Sequence, residues 1–187
     1  MSSLPLHLLP DTAEVADDGS LSIGGCSLLD LAADHGTPLF VYDEVHLRRR
    51  CREAVDAFGH QHVVYATKAF LCRAMARLAF EEGLLLDVAS GGEMHVALAA
   101  GVPASALTMH GNNKSADELR MAMREGVKYV VVDCAEEIDR IEALHAEGLP
   151  APAVVLRITP GVHAHTHQYI ATGQDDSKFG FNLGNGA

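Results

Sequence analysis

HVVYATKAFLCRAMARLAFEEGLLLDVASGGE, residues 62–93, is the stretch on which the fold turns. A short apolar run, His62 to Ala66, leads into an amphipathic segment that stops at Gly83. A second apolar run, Leu84 to Val88, follows at once. Ser90 and Glu93 then have the spacing of a capping box, in which the hydroxyl takes an orphan N–H and the carboxylate reaches back. The order is strand, helix, strand and the start of another helix.

The same unit recurs on both sides. Gly59, Gly83, Gly101, Gly126 and Gly148 each close a helix-like stretch, at intervals of roughly 18 to 25 residues. The runs His62–Ala66, Leu84–Val88, Ala106–Met109, Tyr129–Val132 and Ala153–Ile158 follow them and predict buried parallel strands. Ser115 with Glu118 forms a second capping box, and Asp133 with Glu136 a similar start. Leu47, Cys51, Ala54 and Phe58 predict one buried helical face, and Ile138, Ile141 and Leu144 another. Alternation of this period means an α/β parallel sheet. Two architectures fit: an open doubly wound sheet, or the first five-eighths of a (β/α)8 barrel.

Upstream, the first 36 residues read as irregular, with a hairpin turn at Ala16–Ser20 and a short helix from Leu28 to His35. Pro38 to Tyr42 is an extra apolar segment ahead of the repeat and a candidate for a separate β structure. Downstream, Phe181 to Ala187 predicts no helix and no closing strand.

The chain has 187 residues, 48% hydrophobic and 21% charged, which is a globular balance. Its formal net charge of −11 argues against a general nucleic-acid binder and against docking on anionic lipid. A local pocket can still be basic. Cys26, Cys51, Cys72 and Cys134 form no C-x-x-C pair and predict free thiols in a reducing compartment. Nothing at the N-terminus reads as a signal peptide, and no apolar run approaches a membrane span, so a cytoplasmic location is expected.

Ligands bind at the C-terminal ends of strands in both architectures. The residues there are Lys68, Asp87 to Ser90, His110 to Asn113, Asp133 and Arg157. A lysine at the inner end of a buried strand would be desolvated and suited to Schiff-base chemistry. A lysine that has left the strand would point to solvent instead. Asp87 reads either as a cofactor-side group or as the partner of a structural cation. Arg157 can bind a ligand oxygen or pair with a neighbouring carboxylate. Ser90 reads as a cap rather than a nucleophile. His163, His165 and His167 alternate, but they follow Pro160-Gly161, so a loop is expected and no metal site. Gly111 to Ser115 lacks the glycine spacing of a phosphate loop, and Asn113-Lys114-Ser115 is a formal glycosylation sequon with nothing else to suggest secretion.

Four motifs in order carry a resemblance: Tyr65-Ala66-Thr67-Lys68, Leu86 to Glu93, His110-Gly111-Asn112-Asn113-Lys114, and Ala164 to Gly173 followed by Ser177-Lys178-Phe179-Gly180. Together they resemble the alanine-racemase-type, pyridoxal-phosphate-dependent decarboxylases of fold type III and, within that group, the diaminopimelate decarboxylases. The resemblance covers about Thr37 to Phe181. It implies a (β/α)8 TIM-type barrel, present here as about five βα units over residues 44–187, with residues 1–43 contributing to a β-rich second domain. It implies pyridoxal 5′-phosphate as cofactor, a Schiff base on Lys68, and Asp87, Arg157 and His110 as cofactor-binding residues, with Asn112 on the same rim. The implied reaction is decarboxylation of meso-2,6-diaminopimelate to L-lysine in a homodimer that acts on a small amino-acid substrate.

The family's later elements have no counterpart here: the histidine stacked on the cofactor ring, the glycine-rich phosphate loop, the Glu-Pro-Gly-Arg segment and the catalytic cysteine. A barrel takes about 250 residues, so the sequence predicts the N-terminal portion of a longer protein, inactive as an isolated segment. Rival expectations are a decarboxylase of ornithine, arginine or carboxynorspermidine, a non-catalytic pyridoxal-phosphate-binding relative, or a complete open five-stranded α/β domain. The stretch from Ala164 to Gly180 disfavours the first, and Lys68 the second.

Overall fold

A computed structural model describes residues 6–160 and 179–182. Its contacts separate two units, Met1–His60 and Gln61–Ala187.

The first unit is more regular than its sequence predicts. A three-stranded antiparallel sheet forms from β1 (Glu14–Val15), β2 (Leu21–Ile23) and β3 (Cys26–Ser27). The turn over Ala16–Ser20 joins β1 to β2, with the Ala16 N–H donating to the Ser20 carbonyl at 2.9 Å. Helix α1 (Leu28–His35) starts on the Ser27 hydroxyl, which accepts from Asp30 N–H, and stops at Gly36 as expected. Helix α2 (Glu44–Phe58) starts on Asp43. The Asp43 carboxylate accepts from the Thr12 hydroxyl and from His46 N–H, and these bonds hold its carboxyl below the ordinary aspartate value. Pro38 to Tyr42 forms no strand here, and no described strand pairs with it. One expectation fails: on α2 only Cys51 is buried, and Phe58 is 71% exposed.

The second unit is built on five parallel strands: β4 (Val64–Ala66), β5 (Leu85–Val88), β6 (Leu107–Met109), β7 (Tyr129–Val132) and β8 (Val154–Leu156). They pair strictly in chain order, β4-β5-β6-β7-β8. A doubly wound sheet needs a reversal of order. None occurs among the described strands, so the arrangement is the singly wound one of an incomplete (β/α)8 barrel. Leu86, Val88, Leu107, Met109, Val130 and Val132 are wholly buried on these strands. Each such side chain contributes about 1.5–3 kcal/mol relative to exposure. Between the strands run α3 (Arg73–Glu81), α4 (Gly91–Ala99), α5 (Ala116–Glu125) and α6 (Ala135–Ala146). Helix α3 packs on β5 and α4 through a buried face that holds Met75, Ala76, Leu78 and Ala79.

Two details differ from expectation beyond β8. Arg157 interrupts the last strand, which resumes as β9 (Ile158–Thr159). The tail then supplies a short strand, β10 (Phe181–Asn182), parallel to β9, where no closing strand was predicted. Two residues are too few to show a periodicity.

Helix starts follow the capping logic with shifts. At α5 both arms of the Ser115–Glu118 box are present. At α4 the Ser90 hydroxyl accepts from Glu93 N–H, but the Glu93 carboxylate accepts from Ala89 N–H rather than from Ser90. At α6 the predicted Asp133–Glu136 start is replaced: Cys134 is the N-cap, and its side chain caps no backbone N–H. Glu137 is the residue that reaches back, to Asp133 N–H at 2.9 Å. On the face of α6, Ile141 and Leu144 are buried as expected, Ile138 is exposed, and Glu137 is buried in its place.

Glu118 caps two helices at once. One oxygen accepts from Ser115 N–H and the other from Gly91 N–H, at 2.9 and 2.8 Å. These bonds hold its carboxyl below the ordinary glutamate value of 4.5. The stabilisation is therefore complete above 4.5 and is lost as pH falls through the lowered folded value. Glu118→Gln turns one acceptor into a donor facing an N–H. Urea unfolding should show a loss of about 1–2 kcal/mol at neutral pH, with the gap between variant and parent closing below pH 4.5.

Candidate functional site

Because the strands of the second unit are parallel, their C-terminal ends share one edge. Residues from four of these ends line a cleft of about 200 Å³. Lys68 follows β4 in a single 3-10 turn, Thr67–Ala69. Thr67 is buried, and its hydroxyl donates to the Asp87 carbonyl at 2.9 Å, which fastens the turn to β5. Lys68 itself is exposed. Burial does not desolvate its amine as the strand-end placement predicts, because the chain leaves the strand at Ala66 and lifts Lys68 onto the rim. It nevertheless lines the cleft, so the alternative of a lysine turned wholly to solvent also falls short.

Asp87 sits on β5 and His110 just beyond β6. Asp87 Oδ2 lies 3.1 Å from His110 Nδ1. An ionised carboxylate only accepts, so Nδ1 is the donor of this bond. Asp87 Oδ1 is buried and has no hydrogen-bond partner among the described residues. An unsatisfied buried acceptor is costly, and a donor on a bound molecule would relieve it. Gly111 follows His110 with φ of +117°, and a Cβ there would come 3.1 Å from the Ala89 carbonyl. Glycine thus lets the loops after β5 and β6 close over the cleft, whose wall includes Asn112.

Arg157 reaches the same cleft from the break between β8 and β9. Its Nη1 donates to Asp133 Oδ1 at 3.4 Å, and its guanidinium lies 4.3 Å from the centroid of the Phe179 ring. Of the two alternatives for Arg157, pairing with a carboxylate is realised, and the residue still faces the cleft. Asp133 is 4% exposed, and its other oxygen accepts from Gly180 N–H at 3.1 Å. One buried carboxylate therefore holds both the cation and the backbone that carries its stacking ring.

The four predicted residues Lys68, Asp87, His110 and Arg157 line one cleft. Phe179 was not foreseen as a site residue. Its signal lay inside Ser177 to Gly180, which sequence reasoning used only as a motif. Asp133 was foreseen on the rim but as a helix start, not as the anchor of Arg157. Ser90 is a cap, as expected. Burial, followed by the hydrogen bond to Glu136, raises the Cys134 thiol above the ordinary value. His163, His165, His167, Ser177 and Lys178 lie outside the described residues. Among the described residues no group of three potential ligands could hold a metal, and no helix is long and apolar enough to cross a membrane.

A site with an amine, a carboxylate–imidazole pair and a stacked guanidinium has known relatives. The family described as pyridoxal-dependent decarboxylase, pyridoxal binding domain, matches residues 44–186. Diaminopimelate decarboxylase of Corynebacterium efficiens is 47% identical over 100% of this chain and 41% of its own length. The Bacillus subtilis enzyme of the same name is 51% identical over 95% of this chain and 42% of its own. The crystal structure of diaminopimelate decarboxylase from M. jannaschii superposes with a TM-score of 0.80 at 31% identity, covering 95% of this chain and 42% of that one. The chain thus spans about two-fifths of the length of the relatives it matches.

The junction at Gly180 is the tightest point of the site. Its φ is +73°, and a Cβ there would fall 2.6 Å from the Arg157 carbonyl oxygen. Gly180→Ala should lower the unfolding free energy by about 1–3 kcal/mol in urea titrations. Gly101→Ala, at φ of +88° but with nothing within 4 Å, should cost only the backbone share, about 1 kcal/mol.

Proposed function

Because the chain belongs to the pyridoxal-dependent decarboxylases, through their pyridoxal binding domain, we propose that it is the cofactor-holding part of a diaminopimelate decarboxylase. The reaction is decarboxylation of meso-2,6-diaminopimelate to L-lysine. Relatives of that name at 47% and 51% identity over nearly the whole chain support it, as does the M. jannaschii neighbour of the same name in co-complex with L-lysine. The observation that carries the proposal is the meeting of Lys68, Asp87, His110 and Arg157 around one cleft.

The residues present fit pyridoxal 5′-phosphate. The group has a carbonyl carbon for an amine, a ring with polar substituents for a carboxylate, and an anion for a guanidinium. The partnerless Asp87 Oδ1 is an acceptor that such a group can satisfy. When bound, the cofactor supplies an electron-withdrawing ring that accepts the electron pair left by departing carbon dioxide.

The chain's own residues do the rest. Lys68 would hold the cofactor through Nζ, the same atom that can carry a proton on the rim. Asp87 fixes the orientation of His110 and keeps its proton on Nδ1. Arg157 offers a fixed positive charge to an anionic group, steadied by Asp133 and by the Phe179 ring. In this proposal residues 44–187 form part of the barrel and residues 1–43 contribute to a β-rich second domain. The protein works in the cytoplasm as a homodimer on a free amino acid.

The test uses the protein that carries these 187 residues. After incubation with pyridoxal 5′-phosphate and reduction with borohydride, peptide mapping should find the label on Lys68. Lys68→Ala should lose the label and lower lysine release by at least about 100-fold, the scale of removing a positioned proton-transfer group. A label elsewhere, or putrescine from ornithine in place of lysine from meso-diaminopimelate, would overturn the proposal.

A further inference from the structure

We infer that Lys114 and Glu137 are positioning residues for the cofactor site, a buried ion pair that clamps two rim loops together; this rests on the pyridoxal phosphate proposal above. Each side chain is 1% exposed, and Lys114 Nζ lies 3.0 Å from Glu137 Oε2. The residues come from different βα units, Lys114 from the loop before α5 and Glu137 from the first turn of α6.

Stability alone gives no reason for this pair. Two charges taken out of water are costly, and an apolar pair of similar volume is often as stable or more so. An apolar pair, however, holds no backbone. Lys114 Nζ donates to the Gly111 carbonyl at 2.5 Å. Glu137 accepts from Lys114 N–H at 3.4 Å and from Asp133 N–H at 2.9 Å. Arg140 donates to the Lys114 carbonyl at 3.0 Å and closes the same junction.

The gripped positions are the ones that matter to the cleft. Gly111 lies between His110, which is bonded to Asp87, and Asn112 in the cleft wall. Asp133 holds Arg157 and the Gly180 N–H. The pair thus sets the backbone from which two separate site contacts are made, Asp87–His110 and Asp133–Arg157. Neither Lys114 nor Glu137 lines the cleft.

The experiment compares pyridoxal 5′-phosphate affinity, by absorbance titration, in the parent and in Lys114→Met/Glu137→Gln. That double variant removes both charges yet leaves an acceptor for Asp133 N–H. The expected result is a folded protein by far-ultraviolet circular dichroism whose Kd for the cofactor rises at least about 10-fold, as for other groups that orient binding residues. Lys114→Arg, which keeps donors for both partners, should restore affinity to within about three-fold of the parent. Glu137→Asp keeps the charge but falls one methylene short, and it serves if the double variant does not fold; its Kd should rise likewise. Unchanged affinity in either folded variant would overturn the positioning role. A parent that binds no cofactor at Lys68 would overturn the function itself, which is a separate outcome.

Discussion

The parallel register of five consecutive strands is the constraint on which the rest of the second unit depends. A strand can pair in parallel with the one before it only if a crossover returns the chain to its starting edge. Each helix here performs that return. All strand ends that emerge on one edge are then chemically equivalent in position, and short loops are enough to bring residues far apart in sequence to one cleft. Lys68, Asp87, His110 and Arg157 come from the ends of β4, β5, β6 and β8. No long-range search by individual side chains is needed. The backbone ladder does the gathering.

Local physics explains what was legible. Apolar runs between glycine stops marked all five strands to within a residue or two, but the expected burial holds only for β5, β6 and β7, while β8 is exposed and β4 half-exposed at the two edges of the sheet. Ser27, Ser90 and Ser115 marked helix starts because capping is a contact over three residues. The four site residues were legible as polar interruptions or ends of apolar runs. What escaped depends on contacts distant in sequence. Glu137 replaced Ile138 on the buried face because a lysine 23 positions earlier receives it. Asp133 does not cap α6 because Arg157 and Gly180 engage both of its oxygens. Strand order itself is a non-local fact, and periodicity left it open between two architectures. Periodicity left Lys68 open between a strand end and a turn, and the structure places it within the 3-10 turn that follows β4.

The electrostatics of the cleft run against the chain as a whole. Net charge is −11, yet among the described residues the cleft gathers Lys68 and Arg157 against a single lining carboxylate, Asp87. The acidic partners that could neutralise them are placed selectively. Asp133 engages Arg157 on one nitrogen only, and Asp87 turns one oxygen to His110. Acidic surface elsewhere does not cancel this local field, because exposed charges beyond about 8–10 Å are screened at physiological salt. Global composition therefore argues against a general nucleic-acid binder while leaving room for a small anionic ligand.

Arg157 occupies the break between β8 and β9, and the sheet knows it only through its peptide groups. Its N–H donates to the Val132 carbonyl at 3.0 Å, and its own carbonyl accepts from Phe181 N–H at 2.8 Å. Neither bond depends on the guanidinium. The chain's path through this point is thus written in main-chain terms, while the chemistry offered to a ligand is written in the side chain. Separating the two means that a substitution at 157 leaves both main-chain bonds intact while it changes what the cleft presents to a ligand and withdraws a partner from the buried Asp133 carboxylate.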